Sequence, residues 1–185
     1  MGGKSLPREQ SHGSFWEREM SNIILIGMPA SGKSTVGVLL AKNLGYRFLD
    51  CDLLIQEKEG KLLHEIIEER GVQGFLELEN RICASIEVER TVISTGGSAV
   101  YGEEAMAHLK TLGQVLYLKI DYDTLVKRLG DYSHRGVVSA KTSTLAELYE
   151  ERTPLYEKYA DLVVDEKDTE GDLSKTVSQC LALCK

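Results

Sequence analysis

No apolar run in the sequence approaches the ~20 residues that a membrane-spanning helix needs, and the first residues lack the hydrophobic core of a secretory leader. A soluble, cytoplasmic protein is the expectation. Basic residues are outnumbered, 22 Lys and Arg against 29 Asp and Glu for a net charge of −7. They form no block of the kind that neutralises a nucleic-acid backbone, so neither nucleic acid nor membrane is an expected partner. Cys51, Cys83, Cys180 and Cys184 show no CxxC or Cys/His spacing of a zinc site. A chain of this size needs no disulfide staples, which leaves reduced thiols as the default. Cys180 and Cys184 stand one helical turn apart, but with no third ligand in view they read as packing or exposed thiols. There is no internal repeat. The 185 residues suit a single compact α/β unit without room for a second catalytic domain, and a monomer is expected.

What the sequence does contain is Gly27-Met28-Pro29-Ala30-Ser31-Gly32-Lys33-Ser34, a full GxxxxGKS match that follows the apolar run Asn22-Ile23-Ile24-Leu25-Ile26. The chemistry needs these residue types. Glycines let successive N–H groups face phosphates, a helix beginning near Lys33 adds its positive end, and Lys33 supplies a cation. A nucleoside triphosphate held by its phosphates is the expected ligand, with contacts at Gly27, Ala30, Ser31, Gly32, Lys33, Ser34 and Thr35. Ser34 is placed to hold Mg²⁺.

Residues 1–20 are polar, rich in helix breakers and aperiodic, and read as a flexible arm ahead of a single domain over 21–185. Phe15-Trp16 in that arm reads as incidental. Strands are expected at Asn22–Ile26, Arg47–Asp50, Val92–Ser94, Gln114–Ile120 and Asp161–Val164, and helices at Val36–Leu44, Gln73–Val88, Asp123–Leu129, Thr144–Tyr159 and Leu173–Leu183. This alternation predicts an α/β fold, a five-stranded parallel sheet with helices on both faces, whose ligands gather at the carboxyl ends of the strands. Two motifs fall at those ends. Asp50-Cys51-Asp52 places two carboxylates at i and i+2, which on an extended chain point to one side, Asp50 toward Mg²⁺ and Asp52 toward an acceptor hydroxyl. The competing reading has Asp52 as the cap of a helix entering Leu53-Leu54-Ile55. Ser94-Thr95-Gly96-Gly97-Ser98 is a tight turn, suited either to substrate contact or to packing.

With these residues in place the chain resembles the shikimate kinases, within the phosphate-loop kinases similar to nucleoside-monophosphate kinases. The resemblance runs from about Asn22 to Asp165. It rests on the phosphate loop, Asp50-Cys51-Asp52, Gly60, the stretch from Gly71 to Glu79, Gly96-Gly97, Arg128 seven residues before Arg135, and Arg152-Thr153-Pro154-Leu155-Tyr156. It implies transfer of the ATP γ-phosphoryl group to a ring hydroxyl of shikimate, with a lid over about 131–141 that closes over the site. It also implies Asp50 toward the magnesium, Asp52 on substrate hydroxyls and taking the proton, and Gly96 and Gly97 against substrate. Lys33 and the lid's Arg135 then reach the transferring group, Arg128 lies beside the adenine, and Arg152 grips the substrate carboxylate.

Three departures stand out. Where the family has Phe-Arg-x-x-Glu this chain has Phe75-Leu76-Glu77-Leu78-Glu79, so the second carboxylate-binding arginine is absent; a charge-assisted contact of that kind is worth about 1.5–3 kcal/mol. Ser98 replaces the third glycine of the turn, and the lid reads Arg135-Gly136-Val137-Val138, with glycine where the family has proline. Glu79 is expected to pair with Arg152 or to be an ordinary helix-face charge. His64 reads as a helix residue rather than a base, and His134 as a solvated loop residue. The leading function is therefore shikimate phosphorylation. The alternatives are a kinase of another small hydroxy acid or polyol, such as gluconate, or a catalytically weak nucleotide-binding regulator.

Overall fold

The computed structural model describes residues 22–129 and 144–184. The arm over 1–20 and the expected lid over 131–141, with His134, Arg135 and Gly136, lie outside the described residues.

Five strands, β1 (Asn22–Ile26), β2 (Arg47–Asp50), β3 (Thr91–Ser94), β4 (Gly113–Lys119) and β5 (Leu162–Asp165), form one sheet in the order β2-β3-β1-β4-β5, and every pairing is parallel. Helices α1 (Lys33–Leu44), α2 (Cys51–Glu59), α3 (Leu63–Ala84), α4 (Glu103–Leu112), α5 (Tyr122–Leu129), α6 (Leu145–Tyr159), α7 (Glu166–Thr169) and α8 (Leu173–Leu183) connect and cover the strands. β1 is apolar without interruption after Asn22 because both its faces are buried, as a central parallel strand requires. Ile24 and Ile26 enter one core with Met106, Leu125, Leu148 and Tyr156 of α4, α5 and α6. Ile23 and Leu25 enter the opposite core with Val36 and Leu40 of α1 and Val177 and Cys180 of α8. Cys184 packs on that second core too, so both terminal thiols are packing residues.

All five expected strands are present within a residue at either end. The helices differ more. α1 begins three residues before the expected Val36, since the phosphate-loop lysine and serine already belong to its first turn. α3 reaches back to Leu63 and is broken at Gly71, where φ is 70° and ψ is 172°. It ends at Ala84 rather than Val88: Ser85 caps it, its hydroxyl donating to Ile82 O at 2.8 Å. α4 had no counterpart among the expected helices; only Ala105, Met106 and Leu109 of it are buried, a stripe too short to stand out by period. α6 starts at Leu145 with Thr144 as its N-cap, accepting from Glu147 N–H at 3.2 Å.

Candidate active site

The strand order reverses direction around β1, and a crevice at the carboxyl ends of the strands is the consequence. Register brings three segments together there: Leu25 of β1 and Asp50 of β2 both pair with Ser94 of β3. The phosphate loop, the acidic pair and the Gly96-Gly97 turn therefore leave the sheet side by side. Gly27 has φ of 148°, and a Cβ on it would stand 2.6 Å from Leu118 O, so the loop passes β4 too closely for a side chain. Lys33 is buried, and its ammonium donates to the carbonyl oxygens of Gly27 and Met28, each at 2.9 Å.

The acidic pair differs from its expected form. Asp50 ends β2 and caps α2, with Oδ1 accepting from Asp52 N–H at 3.0 Å and Leu53 N–H at 3.4 Å. Asp52 is thus a residue of the first helical turn, not of an extended chain, and Asp50 rather than Asp52 is the cap. One carboxylate serves two ends: Asp50 Oδ2 accepts from Ser34 Oγ at 2.7 Å, and Ser34 Oγ lies 3.3 Å from Ser94 Oγ. Hydroxyl and carboxylate oxygens at this spacing are the hard donors that Mg²⁺ prefers. Among the described residues no cluster of three His, Cys, Asp or Glu forms a dedicated metal site. Protein oxygens there fit an ion completed by water and phosphate.

Lys33, Ser34, Asp52, Gly96, Gly97 and Arg152 line one cavity of about 290 Å³, walled on its apolar side by Leu63, Phe75 and Leu129. The turn fits tightly around it. A Cβ on Gly96 would stand 2.2 Å from Glu79 Oε1 and 3.0 Å from Asp52 Oδ1, and one on Gly97 would stand 2.9 Å from the Pro29 ring and 3.1 Å from Arg152 Nη1. Both glycines are needed because side chains from α2, α3 and α6 converge on the turn. Tyr156 fixes it from below, its hydroxyl donating to Gly97 O at 2.6 Å. A second cavity, about 270 Å³, adjoins the first along Ala30, Gly32 and Thr35 and runs between Leu118, Val164 and Leu173. Ser31 and Arg128 line it, and Arg128 forms an ion pair with Glu166 and donates to Ala30 O at 3.4 Å.

Glu79 is neither a surface charge nor the ion-pair partner of Arg152. It is 1% exposed; Oε2 accepts from Ser98 Oγ at 2.6 Å, while Oε1 and Arg152 Nη2 are both buried without a hydrogen-bond partner. Ser98, which departs from the family's glycine, has taken the glutamate. Leu76 is half-buried against the apolar cluster of Ile55, Ile66, Phe75, Leu78 and Ile82, outside the cavity lining. His64 is exposed on α3.

Burial dominates the electrostatics. It lowers the Lys33 ammonium to about 8, against the pull of Asp52 and Asp50. It raises the Asp52 carboxyl, with the Asp50 charge adding to the effect. It pushes Glu79 up to about 7, opposed by the Ser98 hydrogen bond and by Arg152 and Lys33. With an ordinary value of 4.5, Glu79 holds its proton more tightly folded than unfolded, so its contribution to stability falls as pH rises from 4.5 to about 7. Urea unfolding of wild type and Glu79→Gln checks this: wild type loses on the order of 2–3 kcal/mol relative to the variant between pH 4.5 and pH 8. A difference that does not change with pH would show that Glu79 ionises freely in the folded chain.

A family model described as shikimate kinase matches residues 29–184. The chain belongs to the shikimate kinase family. The shikimate kinase of Clostridium botulinum (strain Okra / Type B1) is 39% identical over 162 residues, covering 85% of this chain and 95% of that one. Among solved structures, the shikimate kinase of Bacteroides thetaiotaomicron superposes with a TM-score of 0.76 at 29% identity, covering 89% of this chain and 98% of that one. The enzyme of Acinetobacter baumannii, solved in complex with shikimate, gives 0.69 at 32% identity over 78% of this chain and 82% of that one. The shikimate kinase fold accounts for the mutual placement of phosphate loop, acidic pair and glycine turn.

Two residues of the site carry no motif signal. Tyr101 receives a hydrogen bond from Arg152, and Glu166 pairs with Arg128 while its Oε2 is buried and unpartnered. Each touches an arginine that the sequence did mark, and only the folded chain joins them.

Proposed function

We propose that this shikimate kinase family member transfers the γ-phosphoryl group of ATP to a ring hydroxyl of shikimate, as one catalytic domain over 21–185 acting as a cytoplasmic monomer. The observation that carries the reading is the single cavity in which Lys33 and Ser34, Asp52, and Arg152 with Gly96 and Gly97 meet. It holds phosphate-binding, hydroxyl-binding and carboxylate-binding chemistry within one small volume. A relative solved with shikimate bound supports the choice of acceptor.

In this reading the backbone N–H groups of the loop from Gly27 to Lys33, Pro29 excepted, and the N-terminus of α1 hold the phosphates. Ser31 and Thr35 line the path from the loop to the second cavity, which takes the nucleoside beside Arg128. Ser34 and Asp50 would hold Mg²⁺, which when bound offsets charge on the phosphates. Asp52 orients the attacking hydroxyl and accepts its proton, a task suited to a carboxyl whose affinity for a proton is raised. The hydroxyl oxygen bonds to the γ-phosphorus as the bond to the bridging oxygen breaks, and ADP leaves. Lys33, with Arg135 from the lid, offsets charge on the equatorial oxygens, where a loose transition state accumulates it. Arg152 grips the acceptor's carboxylate.

An ADP-release assay across shikimate, gluconate and simple polyols tests the reading. Shikimate should give the highest kcat/KM; a polyol or gluconate well above shikimate would overturn it. Leu76 adds a graded test, since its replacement by arginine stands one turn before Glu79 on α3 and can be held by it. Leu76→Arg should lower the KM for shikimate by roughly tenfold, one recovered charge-assisted contact. An unchanged KM would mean that position 76 does not reach the carboxylate.

A further inference from the structure

Arg152 is 1% exposed in α6, and a side chain with four torsions needs a partner to fix its orientation. Glu79 does not supply one, being held by Ser98. Tyr101 does. Arg152 Nε donates to the Tyr101 hydroxyl at 3.2 Å, and the guanidinium carbon lies 5.1 Å from the centre of the Tyr101 ring. With Nε taken, the Nη edge is what remains for a ligand. Nη1 lies against Gly97 at the cavity, and Nη2 is buried with no partner.

Tyr101 is itself fixed by the turn that shapes the cavity. It closes the short 3-10 helix Ala99–Tyr101 immediately after Gly96-Gly97-Ser98, and its N–H donates to Ser98 O at 3.0 Å. It is half-buried; burial raises its phenol, with Arg152 opposing and Glu151 of α6 reinforcing the shift. The hydroxyl is therefore neutral at physiological pH and accepts from Arg152 without cancelling its charge. A carboxylate in the same place would neutralise the guanidinium and compete with an anionic acceptor.

We propose that Tyr101 is a positioning residue for the acceptor's carboxylate, holding Arg152 by Nε so that one guanidinium offers both Nη groups in a pocket where position 76 supplies no second cation. The inference rests on the reading that shikimate is the acceptor. It predicts that Tyr101 matters in proportion to the carboxylate, not to the phosphoryl transfer.

The test compares kcat/KM for shikimate with that for its methyl ester, in wild type, Tyr101→Phe and Tyr101→Leu. Wild type should prefer the acid. Tyr101→Phe keeps the ring but loses the hydrogen bond, and should cut the acid-over-ester preference by about tenfold, as for one hydrogen bond to a charged group. Tyr101→Leu, losing the stacked ring as well, should cut it further, and in both variants the loss should appear in the KM for shikimate while the KM for ATP stays within about twofold. If both substrates lose activity equally, Tyr101 only supports the fold and the proposal is wrong. If Tyr101→Phe leaves the preference intact, the hydrogen bond does not position Arg152, and the proposal fails while the function stands. If wild type phosphorylates the ester as well as the acid, Arg152 grips no carboxylate and the proposal fails while shikimate remains the acceptor; if wild type phosphorylates neither, the reading of shikimate as acceptor falls and takes the proposal with it.

Discussion

Lys33→Ala should lower kcat by about 10²–10³-fold, the scale of removing one preorganised charge from a transition state. The effect has a structural reason beyond the motif. Lys33 is buried, its ammonium is fixed by two carbonyl oxygens of its own loop, and burial has already weakened its hold on the proton. Such a cation is prepared to exchange loop carbonyls for phosphate oxygens, which restore a full charge partner in a poorly solvated place. The core on either side of β1 does not involve the ammonium, so circular dichroism and urea unfolding should show a folded variant. Near-normal turnover by folded Lys33→Ala would remove the phosphate loop from the mechanism.

The second large effect separates Asp50 from Asp52. Asn caps a helix about as well as Asp, so Asp50→Asn keeps α2 in place through Oδ1 while replacing the oxygen that meets Ser34. Its activity should fall and should be partly recovered by raising Mg²⁺ or supplying Mn²⁺. Asp52→Asn removes a proton acceptor and should cost about 10²–10⁴-fold in kcat, with no recovery by metal. Steady-state rates across a metal titration decide between the two. Identical titration curves for both variants would mean that the carboxylates share one task.

The central strands β1 and β3 were legible because they are short apolar runs bounded by turn residues, and a strand buried on both faces has little freedom to be anything else. The phosphate loop was legible because phosphate binding restricts its residue types directly. Asp50 and Asp52 were found as a pair, but their geometry was not: the chain turns from strand to helix between them, and the capping hydrogen bond responsible is a choice among competing partners for one carboxylate. Glu79 shows a different limit. Nothing local distinguishes a buried glutamate from a surface one on a helix, and its partner lies 19 residues away on another element. The same holds for Tyr101 and Arg152, separated by 51 residues and joined only by packing of α6 on the turn. Burial of charge is a tertiary property; sequence period marks the apolar face and leaves the polar residues within it unassigned.

Phosphoryl transfer from ATP to shikimate within one cavity can be observed by following the phosphorus itself. Purified protein with ATP, Mg²⁺ and shikimate, observed by phosphorus NMR, should convert the γ-phosphate signal into a phosphate monoester bonded to a shikimate hydroxyl, one ester for each ADP formed. Inorganic phosphate appearing with ADP in place of the ester, or no ADP at all, would contradict it.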